Sequence, residues 1–177
     1  YCSGSDRWVL TYRDITNSNF GAAVLCEINN SVITFGTPVV FSSEQVNTPS
    51  ITYDPVADRF VIVWRGAGNG RAVVGEITPD NKNLTFGDEV EFHSTYAGNP
   101  VCVFDPTSGK TVVTFVDNSN NYAATAVVGT ISGDDIQFGP TTLMADSTSS
   151  RNCFITPVPD EGKLVFIYGD GSGSSGV

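Results

Sequence analysis

Short apolar runs alternate along the whole chain with stretches of Gly, Asn, Asp and Ser. This pattern predicts many short β-strands joined by tight turns rather than long helices. One run recurs. Arg7-Trp8-Val9-Leu10-Thr11-Tyr12-Arg13-Asp14 is matched by Arg59-Phe60-Val61-Ile62-Val63-Trp64-Arg65-Gly66, by Lys110-Thr111-Val112-Val113-Thr114-Phe115-Val116-Asp117 and by Lys163-Leu164-Val165-Phe166-Ile167-Tyr168-Gly169-Asp170. The leading basic residue stands at 7, 59, 110 and 163, spacings of 52, 51 and 53 residues. A second landmark, Thr34-Phe35-Gly36, Thr85-Phe86-Gly87 and Gln137-Phe138-Gly139, keeps the same period. Two landmarks in register identify a tandem repeat.

Each unit predicts four strands. Strand a is the run just given. Strand b is Ala23–Ile28, matched by Ala72–Ile77 and Ala126–Ile131. Strand c runs from the Phe-Gly landmark to a bulky residue five positions on: Phe41, Phe92 or Met144. Strand d is Ser50-Ile51-Thr52-Tyr53, then Val101-Cys102-Val103-Phe104, then a looser Cys153-Phe154-Ile155, which would make Cys102 and Cys153 equivalent. Asp54-Pro55 and Asp105-Pro106 follow strand d as turn starters, because Pro fixes φ and Asp bonds its own backbone. Links d–a, a–b and b–c therefore read as hairpins. The c–d link, a polar loop of eight to ten residues, reads as the crossing to the next unit.

Strand a is apolar on both faces, with Phe60, Ile62 and Trp64 on one side and Val61 and Val63 on the other. Such a strand must be covered twice, which stacked sheets achieve and one half-wet sheet does not. The expected fold is all-β: tandem four-stranded antiparallel blades, β-propeller-like, three full repeats plus a partial fourth. The chain reads as one repeat-built domain, 1–177, with units near 1–49, 50–99, 100–151 and 152–177. The glycine at 75 and 129 in strand b, Cys26 in the first unit, fits a place where neighbouring sheets approach closely. Tyr1 aligns with Tyr53 and Phe104 at the end of strand d, so the first unit has almost no d. Either the chain is a window of a longer array, or its final d–a hairpin completes the first blade of a neighbouring copy.

The repeat resembles the roughly 50-residue, four-stranded repeats of β-propeller surface proteins, in particular those of some phage tail and aquatic-microbe surface proteins. The words that carry the resemblance are Tyr12-Arg13-Asp14, Asn17-Ser18-Asn19-Phe20-Gly21, Val127-Val128-Gly129-Thr130-Ile131-Ser132-Gly133 and Ile136-Gln137-Phe138-Gly139. It covers nearly the whole chain and implies the blade architecture, with no catalytic residue to carry over. The Trp-Asp ending of WD repeats and the Asp-box of sialidases are missing.

Composition narrows the partners. With 9 basic and 19 acidic side chains the formal net charge is −10, which repels phosphate backbones and anionic membranes. No apolar run reaches the roughly 18 residues of a membrane span. Nucleic acid and membrane insertion are thus excluded as readings, and the expected location is extracellular, on a cell or virion surface. Cys2, Cys26, Cys102 and Cys153 include no CxxC pair, and His93 has no partner His, so no zinc site is expected. The four cysteines are disulfide candidates outside the cell, with three pairings open.

The remaining chemistry is sparse. The a–b loops, Asp14–Asn19, Asp117–Asn121 and Asp170–Ser175, carry oxygens that can coordinate Ca²⁺, but turn chemistry explains them without a metal. No cofactor is expected. Tyr12, Trp64, Phe115 and Tyr168, with Arg13 and Arg65 beside two of them, are the glycan-binding candidates, because aromatic faces flanked by polar groups stack on sugars. Asn29 and Asn83 head two N-glycosylation sequons beside the b–c turn. The carboxylate pairs Asp88-Glu89 and Asp134-Asp135 read as solvated, and no nucleophile motif is present. The chain reads as a non-enzymatic structural repeat of a surface fibre, filament or tail-like appendage, bound to copies of itself or to neighbouring repeats. A carbohydrate-binding propeller for adhesion is the alternative, and a propeller glycoside hydrolase on Asp54 or Asp105 comes third.

Overall fold

The computed structural model describes residues 1–80, 82–144, 152–158 and 161–169, and its strands fall into four successive antiparallel sheets. The first holds β1 (Trp8–Asp14), β2 (Phe20–Asn29), β3 (Val32–Phe35) and β4 (Val39–Ser42). The second holds β5 (Asn47–Asp54), β6 (Arg59–Arg65), β7 (Gly70–Ile77), β8 (Leu84–Phe86) and β9 (Val90–His93). The third repeats it with β10 (Ala97–Asp105), β11 (Lys110–Asp117), β12 (Ala123–Ser132), β13 (Asp135–Phe138) and β14 (Thr142–Leu143). A last hairpin pairs β15 (Cys153–Val158) with β16 (Lys163–Tyr168). The order d-a-b-c is that of the complete sheets, β5-β6-β7-β8 and β10-β11-β12-β13. Among the described residues no sheet closes on itself.

Several expectations change in detail. Strand c is two short strands, not one, and the Phe-Gly landmark ends the first instead of opening the whole. Gly36, Gly87 and Gly139 each donate a last bond to strand b, to the carbonyls of Leu25, Val74 and Val128 at 2.9 Å. Pro38 and Pro140 then lack the N–H to continue the ladder in two of the units. The c–d links are shorter than expected, residues 43–46 and 94–96. Strand d starts earlier, through a register shift between Asn47 and Ser50 and another between Gly98 and Val101. Finally, Ile155 opposite Phe166 occupies the place of Cys102 opposite Val113, so Cys153 is not the repeat equivalent of Cys102.

The two-sided burial of strand a follows the alternation. Phe60, Ile62 and Trp64 join Ala23, Leu25, Phe41 and Val46 in a core between the first and second sheets. Val61 and Val63 join Cys102, Val113, Phe115 and Ile136 in a core between the second and third. A small third core, Val116, Ala124 and Cys153 with Met144 against it, seats the last hairpin. The sheets therefore stack face to face, each junction sealed by one face of each neighbour.

The landmarks now have causes. The leading basic residue reaches the same place on strand b in the first three units: Arg7 to Glu27 at 3.0 Å, Arg59 to Glu76 at 2.8 Å, and Lys110 to the Thr130 hydroxyl at 2.9 Å. The residue before it takes a left-handed turn conformation: Asp6, Asp58, Gly109 and Gly162 have φ of 53°, 52°, 65° and 59°. The bulky residue of the outer strand covers a small one on strand b. A Cβ on Gly21 would lie 2.3 Å from the Phe41 ring, and one on Gly70 would lie 2.4 Å from Phe92. The third unit pairs Met144 with Ala124 instead, Met144 N–H donating to the Ala124 carbonyl at 2.9 Å. Gly75 and Gly129 make room for rings and branched chains of their own sheet, Phe60 and Phe86 in one case, Ile136 and Phe138 in the other. The close approach of neighbouring sheets lies elsewhere, at Gly87, whose Cβ would stand 2.0 Å from the Asp134 carbonyl oxygen.

Candidate functional site

The inner strands carry a device for their open edge. The Ser50 hydroxyl accepts from the Cys102 N–H at 3.2 Å, and the Thr52 hydroxyl accepts from the Phe104 N–H at 2.9 Å. Strand d of one sheet thus caps edge donors on strand d of the next, which blunts an edge that would otherwise recruit another chain. Asp54 and Asp105 are spent on their turns. Asp54 accepts from Val56 and Ala57 N–H at 2.8 and 3.0 Å, and Asp105 accepts from Thr107 and Ser108 N–H at 3.1 and 3.2 Å.

The aromatic positions divide. Trp64 is 1% exposed and Phe115 0%, with Phe41 edge-on to the first at 5.2 Å and Phe92 tilted on the second at 5.4 Å. Neither ring has an open face, and both belong to the cores between the sheets. Tyr12 and Tyr168 lie at opposite ends of the stack, on the first sheet and the last hairpin, and form no common surface. The arginines beside the rings fasten one sheet to the next. Arg13 donates to Asn19 at 2.7 and 2.9 Å and to Asn47 at 2.9 Å. Arg65 donates to the Tyr96 hydroxyl and lies 4.7 Å above the Tyr96 ring.

The acidic loops serve their own backbone. Asp14 accepts from the Thr16 hydroxyl at 2.7 Å and from the Thr16 N–H at 3.0 Å; that hydroxyl foremost holds the carboxyl below its ordinary range. The loop 170–175 lies outside the described residues. Among the described residues no group of three or more His, Cys, Asp or Glu side chains is arranged to hold a metal. The carboxylates beside the outer strands are engaged singly, Glu89 with Arg71 at 2.9 Å and Asp134 with Arg59 at 3.3 Å. Asp88, Asp134 and Asp135 border a cleft of about 500 Å³ between the second and third sheets, beside Gly87.

One polar cluster escaped the sequence reading. His93 at the end of β9 places Nε2 3.1 Å from Asp117 Oδ1 at the end of β11, and 2.8 Å from the Thr95 hydroxyl. Ser119 donates to the same carboxylate oxygen at 2.6 Å. Burial pushes the Asp117 carboxyl up, but the Ser119 hydroxyl and His93 outweigh it and bring it down. Ser, His and Asp meet here, yet the serine proton goes to the carboxylate and not to the imidazole, so no base activates the hydroxyl. The cluster ties the second sheet to the third. Its members are 24 residues apart on different sheets, and no spacing rule in the sequence joins them.

Asn29 and Asn83 are exposed beside the b–c turns, where the sequence reading put them. The four cysteines are free and buried. They are not brought together: Cys2 lies in the first core, Cys102 in the second and Cys153 in the third, while Cys26, opposite Trp8, lies on the far face of the first sheet. Burial raises the Cys102 thiol to about 12 and those of Cys2 and Cys153 to about 11, so none is a nucleophile at neutral pH.

What remains open is at the ends of the stack. Trp8 and Leu10 are 43% and 49% exposed, whereas Phe60 and Ile62 at the same repeat positions are 1% and 0% exposed. Among the described residues β1 also lacks an inner partner strand: only the bridge of Cys2 to Arg7 stands where Asp54 pairs with Arg59. Compared with known proteins, the chain matches no protein-family model and no curated sequence.

Proposed function

We propose that this chain is an extracellular structural repeat protein, a segment or subunit of a surface fibre, filament or tail-like appendage, in which four-stranded sheets stack as propeller-like blades. The observation that carries the reading is the contrast at the ends: a face fully covered inside the stack is open on the first sheet. Further units of the same kind, in the same chain or in another copy, are what that face fits. The side chains with chemical potential support the reading as well, since Asp54, Asp105, Arg13, Arg65 and the His93 cluster are committed to turns and sheet junctions. The two sequon asparagines stand exposed for glycosylation. The alternative as a carbohydrate-binding propeller is weakened by the burial of Trp64 and Phe115.

Electron microscopy with intact mass on the same sample tests the proposal. Elongated assemblies, with a subunit mass above the 18.8 kDa of the bare chain, are the expected result. Discrete monomers or closed rings of unmodified chains, with hits on a glycan array, would overturn it.

A further inference from the structure

The two open ends are not alike, and together they reproduce the junction that the stack already repeats. On the first sheet the exposed face carries Trp8, Leu10 and Tyr12, the counterparts of Phe60, Ile62 and Trp64, which meet the preceding sheet inside the stack. On the last hairpin the face turned away from the third sheet carries Phe154, Val165 and Ile167, of which Phe154 and Ile167 are 55% and 57% exposed. Val165 and Ile167 are the counterparts of Val61 and Val63, which meet the following sheet. One end therefore shows the incoming half of the junction and the other end the strand-a part of the outgoing half.

We propose that these halves join two copies of this chain head to tail, the outer face of the last hairpin of one copy seating on the outer face of the first sheet of the next. The inference rests on the stacking-repeat reading above and specifies its contact. The occupant is argued from continuity: the junction occurs inside the chain between successive sheets, where strand a of one sheet meets strand a of the next through the same strand-a positions. Because its halves lie on different surfaces, the contact is heterologous, and it propagates instead of closing into a two-fold dimer. Edge pairing is the weaker route, because β15 carries Pro157, at the position whose counterpart Phe104 turns its N–H to the open edge.

The test uses the whole chain and two variants, Leu10→Asp and Ile167→Asp. Both residues are exposed in the single chain, so the thermal midpoint is expected to stay near that of the parent. Sedimentation velocity of the parent, at physiological ionic strength, is expected to show species growing with concentration. The emission of Trp8 should shift blue over the same range; the only other tryptophan, Trp64, is buried already. Each variant alone is expected to stay monomeric. Their equimolar mixture is expected to give a dimer and nothing larger, since one supplies an intact hairpin face and the other an intact first-sheet face. That outcome holds even if Ile167→Asp frays its own hairpin. A monomeric parent, association by either variant alone as in the parent, or a mixture that stays monomeric would each overturn the head-to-tail junction. Assemblies that persist in both variants would do so while leaving the structural-repeat reading in place.

Discussion

The ring-over-glycine contact in the second sheet makes a quantitative test of how these sheets are built. Gly70 is buried, and a Cβ added to it would stand 2.4 Å from two atoms of the Phe92 ring and 3.0 Å from Ala97. The first pair of distances is far inside van der Waals contact, so Gly70→Ala must displace the ring, which also packs on Phe115 at 5.4 Å and Phe138 at 5.7 Å. Overpacking of this kind costs about 1–3 kcal/mol, from which the entropy advantage of Ala over Gly in a strand, about 0.5–1 kcal/mol, is to be subtracted. Gly70 has no left-handed φ, so backbone strain adds nothing. Phe92→Met alone removes the ring contacts and leaves a gap, a loss of roughly 1–2 kcal/mol. The third unit indicates the compensation, because Ala124 and Met144 hold the same two places. The double variant Gly70→Ala/Phe92→Met is therefore expected to be more stable than the sum of the singles allows, by about 1–2 kcal/mol of coupling. Urea unfolding of all four proteins, with the slope held constant, measures it. Additivity within about 0.5 kcal/mol would refute the reasoning.

Three further outcomes are expected. Thr114 is fully buried and its hydroxyl has no hydrogen-bond partner among the described residues, so Thr114→Val should stabilise the fold by about 1 kcal/mol; a lower urea midpoint would show that the hydroxyl is satisfied after all. Gly87→Ala should destabilise by more than about 2 kcal/mol, because its Cβ meets backbone at Asp134 rather than a movable side chain; an unchanged melting temperature would mean that the second and third sheets sit further apart. The four free thiols should resist a disulfide reagent at pH 8 and react in full after unfolding without reductant. Cys102 ionises at about 12 in the fold against 9.0 when exposed, so its contribution to stability is intact below pH 9.0 and is lost as pH rises towards 12. Fast labelling of the native protein at pH 8 would contradict the burial.

Hairpin chemistry is local, and the local parts of this protein were legible in the sequence. Asp54-Pro55, the two-sided apolar run of strand a and the 52-residue period named the strands and their order within a sheet, because each depends on neighbours a few residues away. The broken outer strand and the early start of strand d were not legible. They follow from bulges and, in the first and third units, from a ladder that ends at a proline, details fixed only when two strands are laid side by side. The equation of Cys102 with Cys153 failed for the same reason, as residue likeness stood in for register.

For the candidate site the division is sharper. Four aromatic residues at one repeat position look identical in sequence, yet Trp64 and Phe115 are sealed while Tyr12 and Tyr168 are not. Alternation states which residues share a face of a sheet. It does not state whether another sheet covers that face, because burial here is a property of the junction and not of the strand. The same holds for Arg65 on Tyr96 and for His93 beside Asp117, contacts between sheets that no spacing announces. By itself, then, the sequence determined the repeat, the strands and the two apolar faces. Only the stacking of the sheets decided which of those faces became core and which were left open at the ends.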